Sequence, residues 1–173
     1  MATLLDVLIA PDPRLRIKAK PVETIDKTVL KTLNDMLATM YKNDGCGLAG
    51  PQVAIDRRLV VMDVAAWGEE PYPVKLINPE ITWISEETQT IDDGCLSVPG
   101  YWAKTKRPAS IQYQYLDEKG SLIQKKAQGL EAACVHHEID HLNGILFIDR
   151  ISSLKRKIIL RKLEKGSTQN YRQ

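Results

Sequence analysis

His137, Glu138 and His141 belong to an HExxH pentad, His137-Glu138-Ile139-Asp140-His141, whose spacing has a chemical use. On an α-helix, residues four apart lie one turn apart on the same face, so both imidazoles can reach a single metal ion. Glu138 sits beside them without being a ligand, the position of a general base acting on metal-bound water. Catalytic zinc and iron sites usually take three protein ligands and leave one position open, so a third ligand must come from elsewhere. The remaining histidine, His136, points about 100° away from His137 on a helix and cannot easily join the same ion. Cys95 is the strongest candidate, within Asp92-Asp93-Gly94-Cys95-Leu96-Ser97-Val98-Pro99-Gly100, where bounding glycine and proline let the backbone come close to a metal.

Positioning these groups requires a scaffold, and hydrophobic periodicity outlines it. Val29, Leu30, Leu33, Met36, Leu37 and Met40 recur at steps of three and four after Asp26, which predicts an N-capped amphipathic helix over 26–41. The stretch 42–52 is too rich in glycine and turn residues to continue it and reads as a loop or short edge segment. Short β-branched runs at 59–64 and 81–84 predict strands, and Ile111, Tyr113 and Tyr115 alternate with glutamines as in a half-buried strand over 110–116. Asp117 to Gly120 then turns the chain into a hairpin partner over 121–125. A helix around Leu130 to His141 stops at Asn143-Gly144. Its stripe of Leu130, Ala133 and Cys134 continues into the two histidines, which places the ion against the sheet. A last helix, 152–165, is expected to turn Leu154, Ile158 and Leu163 inward and Lys155, Arg156, Arg161 and Lys162 outward.

The elements add up to an α+β fold, with antiparallel or mixed β-sheets packed around a central HExxH helix and flanked by an N-terminal and a C-terminal helix. At 173 residues and 43% apolar content, the chain is expected to be one domain spanning 1–173. Its start lacks the basic and apolar regions of a signal peptide, and no apolar run approaches the roughly 18 residues of a membrane span, so a cytoplasmic enzyme is expected. Cys46, Cys95 and Cys134 are odd in number and widely spaced, which argues against a structural disulfide framework. Formal charge is +2, but residues 150–173 hold eight Lys or Arg against one acid. That tail is either a solvated helix face or a surface for nucleic-acid phosphate.

Gly45-Cys46-Gly47-Leu48-Ala49-Gly50-Pro51-Gln52, Gly94-Cys95-Leu96-Ser97 and the HExxH pentad resemble, in order and separation, the three motifs of peptide deformylases. The similarity runs from Pro11-Asp12-Pro13-Arg14-Leu15-Arg16 to the basic helix and so covers nearly the whole chain. The resemblance implies that Cys95, His137 and His141 bind one divalent ion, Fe2+ in this family, although the donor set also suits Zn2+, Ni2+ or Co2+. It implies removal of the formyl group from N-formylmethionyl nascent peptides, with release of formate. Metal-bound hydroxide would attack the formyl carbonyl, Glu138 would act as general base and acid, and Gln52 with the Leu96 N–H would stabilise the oxyanion. An apolar methionine pocket would draw on Cys46, Ile91, Leu130, Ala133 and Cys134, with Gly47 offering backbone hydrogen bonds. A monomer without membrane contact is expected; for the basic C-terminal helix, residues 152–165, a solvated face is the default reading and contact with ribosomal RNA, suggested by its resemblance to ribosome-docking forms, the alternative.

Two other functions compete with this reading. HExxH alone suggests a zinc endopeptidase, which needs a further ligand downstream, and no histidine follows His141. A catalytically silent relative would bind formylated peptides without turning them over. The chain departs from the family pattern at Asp93, usually Glu, Gly50, usually Ala, and His136, usually Gln. Asp93 would need a closer backbone to pair with Arg107, and Gly50 would loosen the loop that aims Gln52. His136 would either pair with Asp140 one turn on or sit solvated, and Trp102 would lie near the substrate groove or pack on the surface.

Overall fold

The computed structural model describes residues 1–65 and 69–169. Helix α1, Lys27–Lys42, starts where Asp26 accepts a 2.9 Å hydrogen bond from the Val29 N–H, satisfying one of the unpaired donors of the first turn. Leu33, Met36 and Met40 are fully buried along its inner stripe. Strands β1 (Gly47–Ala49), β2 (Leu59–Met62), β3 (Val74–Ile84), β4 (Thr88–Cys95), β5 (Val98–Pro108), β6 (Ser110–Leu116) and β7 (Leu122–Gln128) follow. Five of them form one antiparallel sheet in the order β1-β2-β3-β6-β7, while β4 and β5 pair as a separate hairpin. Helices α2 (Gly129–Leu142) and α3 (Ser153–Gln169) complete the α+β fold. No helix among the described residues is long and apolar enough to cross a membrane.

The β4–β5 hairpin is the element least apparent in the sequence, because its Asp, Gly and Pro residues favour strands poorly when taken singly. It forms because its inner face is polar and satisfied: Asp93, Thr105 and Arg107 are all buried there. Strand β3 extends well before the expected Ile81, through Asn78-Pro79. A register irregularity between Ile77 and Glu80, with Asn78 at φ 51°, lets the proline sit where a regular ladder would exclude it.

Helix α2 lies between the two sheets. Ala132, Val135, Ile139 and Leu142 pack on the five-stranded sheet with Val60, Leu76, Ile111 and Tyr113. Contrary to expectation, the histidines do not face that sheet; they face the β4–β5 hairpin, and Leu130 at the head of their stripe is 59% exposed. A helix buried almost all round carries apolar residues on every side, so its pattern does not single out the face toward either sheet.

The register of α3 also differs. Ile159 and Leu163 pack against Leu15, Val98 and Phe147, whereas Leu154 and Ile158 are exposed. The difference is a one-position shift from Ile158 to Ile159, and Arg156, its side chain 39% exposed, stands 3.6 Å from Asp149.

Gly50 is not a loosening substitution. A Cβ there would stand 2.6 Å from the Arg57 carbonyl oxygen and 2.8 Å from that of Ile55, so the turn bearing Gln52 fits closely over its own return. Gly50→Ala should destabilise the protein by about 1–3 kcal/mol through overpacking against backbone. Equilibrium denaturant unfolding measures this, and an unchanged or higher midpoint would show that the turn has slack.

Candidate metal centre

Cys95 closes β4, and His137 and His141 project from α2 one turn apart. Their candidate donor atoms all lie within 4.8 Å of one another. Cys95 Sγ is 3.2 Å from His141 Nε2, which is itself 3.2 Å from His137 Nε2. Donors about 2.0–2.3 Å from an ion in a tetrahedron stand roughly 3.3–3.6 Å apart, so the observed spacing is close to that of a bound divalent ion. A thiolate and two imidazoles suit a borderline transition metal.

The histidine tautomer is set from behind. His137 Nδ1 lies 2.9 Å from Asp93 Oδ1, so an Nδ1–H donating to the carboxylate leaves the Nε2 lone pair turned toward Cys95 and His141. Asp93 is fixed in turn by Arg107, whose Nε and Nη2 donate to Oδ2 at 3.0 and 2.6 Å, and by the Thr105 hydroxyl at 2.9 Å. Burial works to raise the Asp93 carboxyl, but the His137 hydrogen bond and the Arg107 guanidinium hold it well below the usual carboxylate range. Arg107 Nη1 also donates to Asp140 at 2.7 Å, and Arg150 clamps Asp140 with bonds of 2.7 and 2.8 Å.

His136 fits neither expectation. It stands 4.0 Å from Asp140 Oδ2, and its side chain is only 12% exposed. Its Nδ1 instead accepts from Arg107 Nη1 at 2.9 Å, and burial, which pushes its pKa down to about 4, keeps that nitrogen unprotonated. Thr105 and Arg150 had no obvious mark in the sequence. The period-two spacing of Thr105 and Arg107 on β5 was the available signal for the first.

Glu138 is buried against β1. A Cβ on Gly47 would lie 2.4 Å from Glu138 Oε1, so only a hydrogen atom at position 47 leaves room for the carboxylate. Glu138 Oε2 and His141 Nδ1 are buried without a hydrogen-bond partner. Burial pushes the Glu138 carboxyl up to about 8, and a cation held by its neighbours would draw it back toward the ionised form. Gln52 is locked at both ends of its amide: Oε1 accepts from the Ala49 N–H at 2.9 Å, and Nε2 lies 3.3 Å from Cys95 Sγ and 3.2 Å from Ser97 Oγ. Leu96 follows Cys95 in the turn between β4 and β5.

Gln52, Cys95, Leu96, His137 and Glu138 line a cleft of about 580 Å³, with His141 fully buried beside them, and all six residues expected around the substrate, Cys46, Gly47, Ile91, Leu130, Ala133 and Cys134, line it too. Trp102 is 72% exposed at its edge, with its ring laid over Gly94, so its surface and groove readings both describe its position. Two larger hollows, of about 790 and 720 Å³, lie around α1 and contain none of these donors.

The family model described as "Polypeptide deformylase" matches residues 4–157. A peptide deformylase of Agrobacterium fabrum is 48% identical over 165 residues, which cover 95% of this chain and 97% of that protein. The crystal structure of peptide deformylase from Ehrlichia chaffeensis superposes with a TM-score of 0.93 at 39% identity, covering 98% of this chain and 99% of that one. The same enzyme has been solved in complex with actinonin, with a TM-score of 0.90 at 42% identity, covering 96% of this chain and 98% of that one. A class I type b peptide deformylase from Acinetobacter baumannii, solved with Met-Ala-Ser bound, gives 0.82 at 33% identity, covering 87% of this chain and all of that one. With its HExxH helix, its Cys95 hairpin and this likeness along almost its full length, the chain belongs to the peptide deformylase family of enzymes.

Proposed function

We propose that the chain hydrolyses the formyl amide of N-formylmethionyl peptides, releasing formate and a free N-terminal methionine, with Cys95, His137 and His141 holding one Fe2+ ion. The convergence of those three donors, two of them lining an apolar cleft, carries this reading. When bound, the ion would supply Lewis acidity, polarising the formyl carbonyl and lowering the pKa of water at the site. Zn2+, Ni2+ or Co2+ would fit the same donors.

Glu138 takes the proton of the attacking water and returns it to the departing amine; its unpartnered Oε2 leaves a position for that proton. Gln52 Nε2, already aimed at Cys95 by its bond from Ala49, donates to the carbonyl oxygen as negative charge develops, together with the Leu96 N–H. Cys46, Ile91, Leu130, Ala133 and Cys134 enclose the methionine side chain, and Gly47 hydrogen bonds to the peptide backbone. The Met-Ala-Ser bound to the Acinetobacter relative is a peptide of that kind.

The chain works as one catalytic domain and as a monomer, in the cytoplasm where nascent chains emerge. The exposed cations of α3, Lys155, Lys157, Arg161 and Lys162, support docking on ribosomal RNA near that exit. Deleting α3 would remove Ile159 and Leu163 from the core, so charge reversal is the cleaner probe.

Protein loaded anaerobically with Fe2+ should release formate from a formyl-Met tripeptide, lose activity to a chelator, regain it with Fe2+, and decay in air as iron and thiolate oxidise. No formate release from metal-replete protein would defeat the proposal. Glu138→Gln should lower kcat by about 10²–10⁴-fold with metal content intact. Gly47→Ala should cost at least about tenfold in kcat by displacing the Glu138 carboxylate, with bound metal unchanged by elemental analysis; full activity would show that the close contact does not position Glu138. Lys155→Glu/Lys157→Glu/Arg161→Glu should weaken ribosome co-sedimentation at low salt while leaving tripeptide turnover unaltered, and undiminished co-sedimentation would remove RNA as a partner.

A further inference from the structure

We infer that Cys46 and Cys134 are a reversible oxidation site, in which a hydroperoxide joins the two thiols into one disulfide across the wall of the cleft. Both residues line that cleft, Cys46 exposed at the end of the turn before β1 and Cys134 buried on α2. Cys134 Sγ lies 3.7 Å from the carbonyl oxygen of Cys46 itself, so the sulfur packs against its partner's backbone. Cys95, the third thiol, is turned away toward Gln52 Nε2 and His141 Nε2, at 3.3 and 3.2 Å. One accessible thiol, with a sheltered thiol packed against its backbone, is the arrangement of an attacking and a resolving cysteine. The three cysteines form no structural framework, and this pair stays reduced until an oxidant reaches the cleft.

Electrostatics favour the same assignment of roles. A hydrogen bond from the Cys134 thiol draws Cys46 below the ordinary thiol range, which favours its thiolate as the attacking form. The same bond is the first cause that holds Cys134 well above an ordinary thiol, ahead of its burial.

In the first step the Cys46 sulfur attacks one peroxide oxygen. The O–O bond breaks, an alcohol or water leaves with one proton, and Cys46 becomes a sulfenic acid. That change removes the charge that kept the Cys134 proton in place. In the second step the Cys134 sulfur attacks Cys46 Sγ, the S–O bond breaks, and water leaves with the Cys134 proton. Two thiols and one hydroperoxide thus give one disulfide, one alcohol or water and one water, the two electrons passing from sulfur to the peroxide.

A disulfide brings the sulfurs to about 2.05 Å, well inside van der Waals separation, and ties the segment before Gly47 to α2. Both sulfurs line the cleft beside Ala133, and Gly47 backs onto Glu138, so the bond narrows the cleft and disturbs the carboxylate together. The loss of activity rests on reading this cleft as the methionine pocket; the sulfur chemistry does not.

The test uses full-length protein loaded with Zn2+, which has no redox chemistry of its own. It is exposed to hydrogen peroxide, then followed by differential alkylation with peptide mass spectrometry, by metal content and by formate release. A Cys46–Cys134 linked peptide should accumulate with Cys95 reduced and zinc retained, formate release should fall at least tenfold, and dithiothreitol should restore both. In Cys134→Ala, Cys46 should pass on to a sulfinic acid that dithiothreitol does not reverse. Absence of the linked peptide, a link through Cys95, or sulfinic acid as the main product in the unaltered chain would overturn the inference. Untreated protein that releases no formate yet forms the linked peptide would count against the functional reading alone.

Discussion

A guanidinium with no solvent exposure, that of Arg107, holds the site together. It lies on β5, yet it bonds to Asp93 on β4 and to Asp140 on α2, and Asp93 in turn orients His137. The charges are costly to bury and become tolerable only because each has a partner at hydrogen-bonding distance. Removal of any one would strand the others in a low-dielectric interior. The same network therefore fixes three things at once: the position of the hairpin carrying Cys95, the azimuth of α2 and the tautomer of its first imidazole.

This dependence explains the division of labour along α2. One side packs Ala132, Val135, Ile139 and Leu142 on the five-stranded sheet and supplies hydrophobic stabilisation. The other side carries His137, Asp140 and His141 against the hairpin, where polar groups do the packing. Asp93 is shorter than the glutamate usual in the family, and it reaches both Arg107 and His137 without strain because β4 and β5 bring Ala103 directly opposite it. His136 adds a neutral acceptor to the cluster, which occupies a guanidinium N–H without adding charge.

Much of this was legible from residue types and spacing. Asp26 announced α1, the alternation of Ile111, Tyr113 and Tyr115 announced β6, and the pentad with Gly94-Cys95-Leu96-Ser97 pointed to three side chains that do lie together. What the sequence concealed has a common physical cause. Patterns of apolar residues report burial against oil-like surfaces, whereas β4 and β5 bury Asp93, Thr105 and Arg107, residues that a pattern assigns to solvent. The direction of the histidines was hidden for the converse reason, because both sides of α2 are buried. The phase of α3 was hidden because Ile158 and Ile159 are adjacent and equally apolar, so the pattern alone did not choose which of them joins the core. Gly50 looked permissive, and only the approach of the Ile55 and Arg57 carbonyls shows it to be a tight fit.

Gly47 has a consequence of a different kind. A Cβ at position 47 and the Glu138 carboxylate would compete for one volume, so a change at either position constrains the other. A larger residue at 47 would be tolerated only alongside a shorter acid at 138, and a shorter acid would give up reach toward the bond to be broken. The smallest side chain in the protein thus acts as a ruler for the buried carboxylate beside it, and a constraint on the acid becomes a constraint on an apparently featureless edge strand.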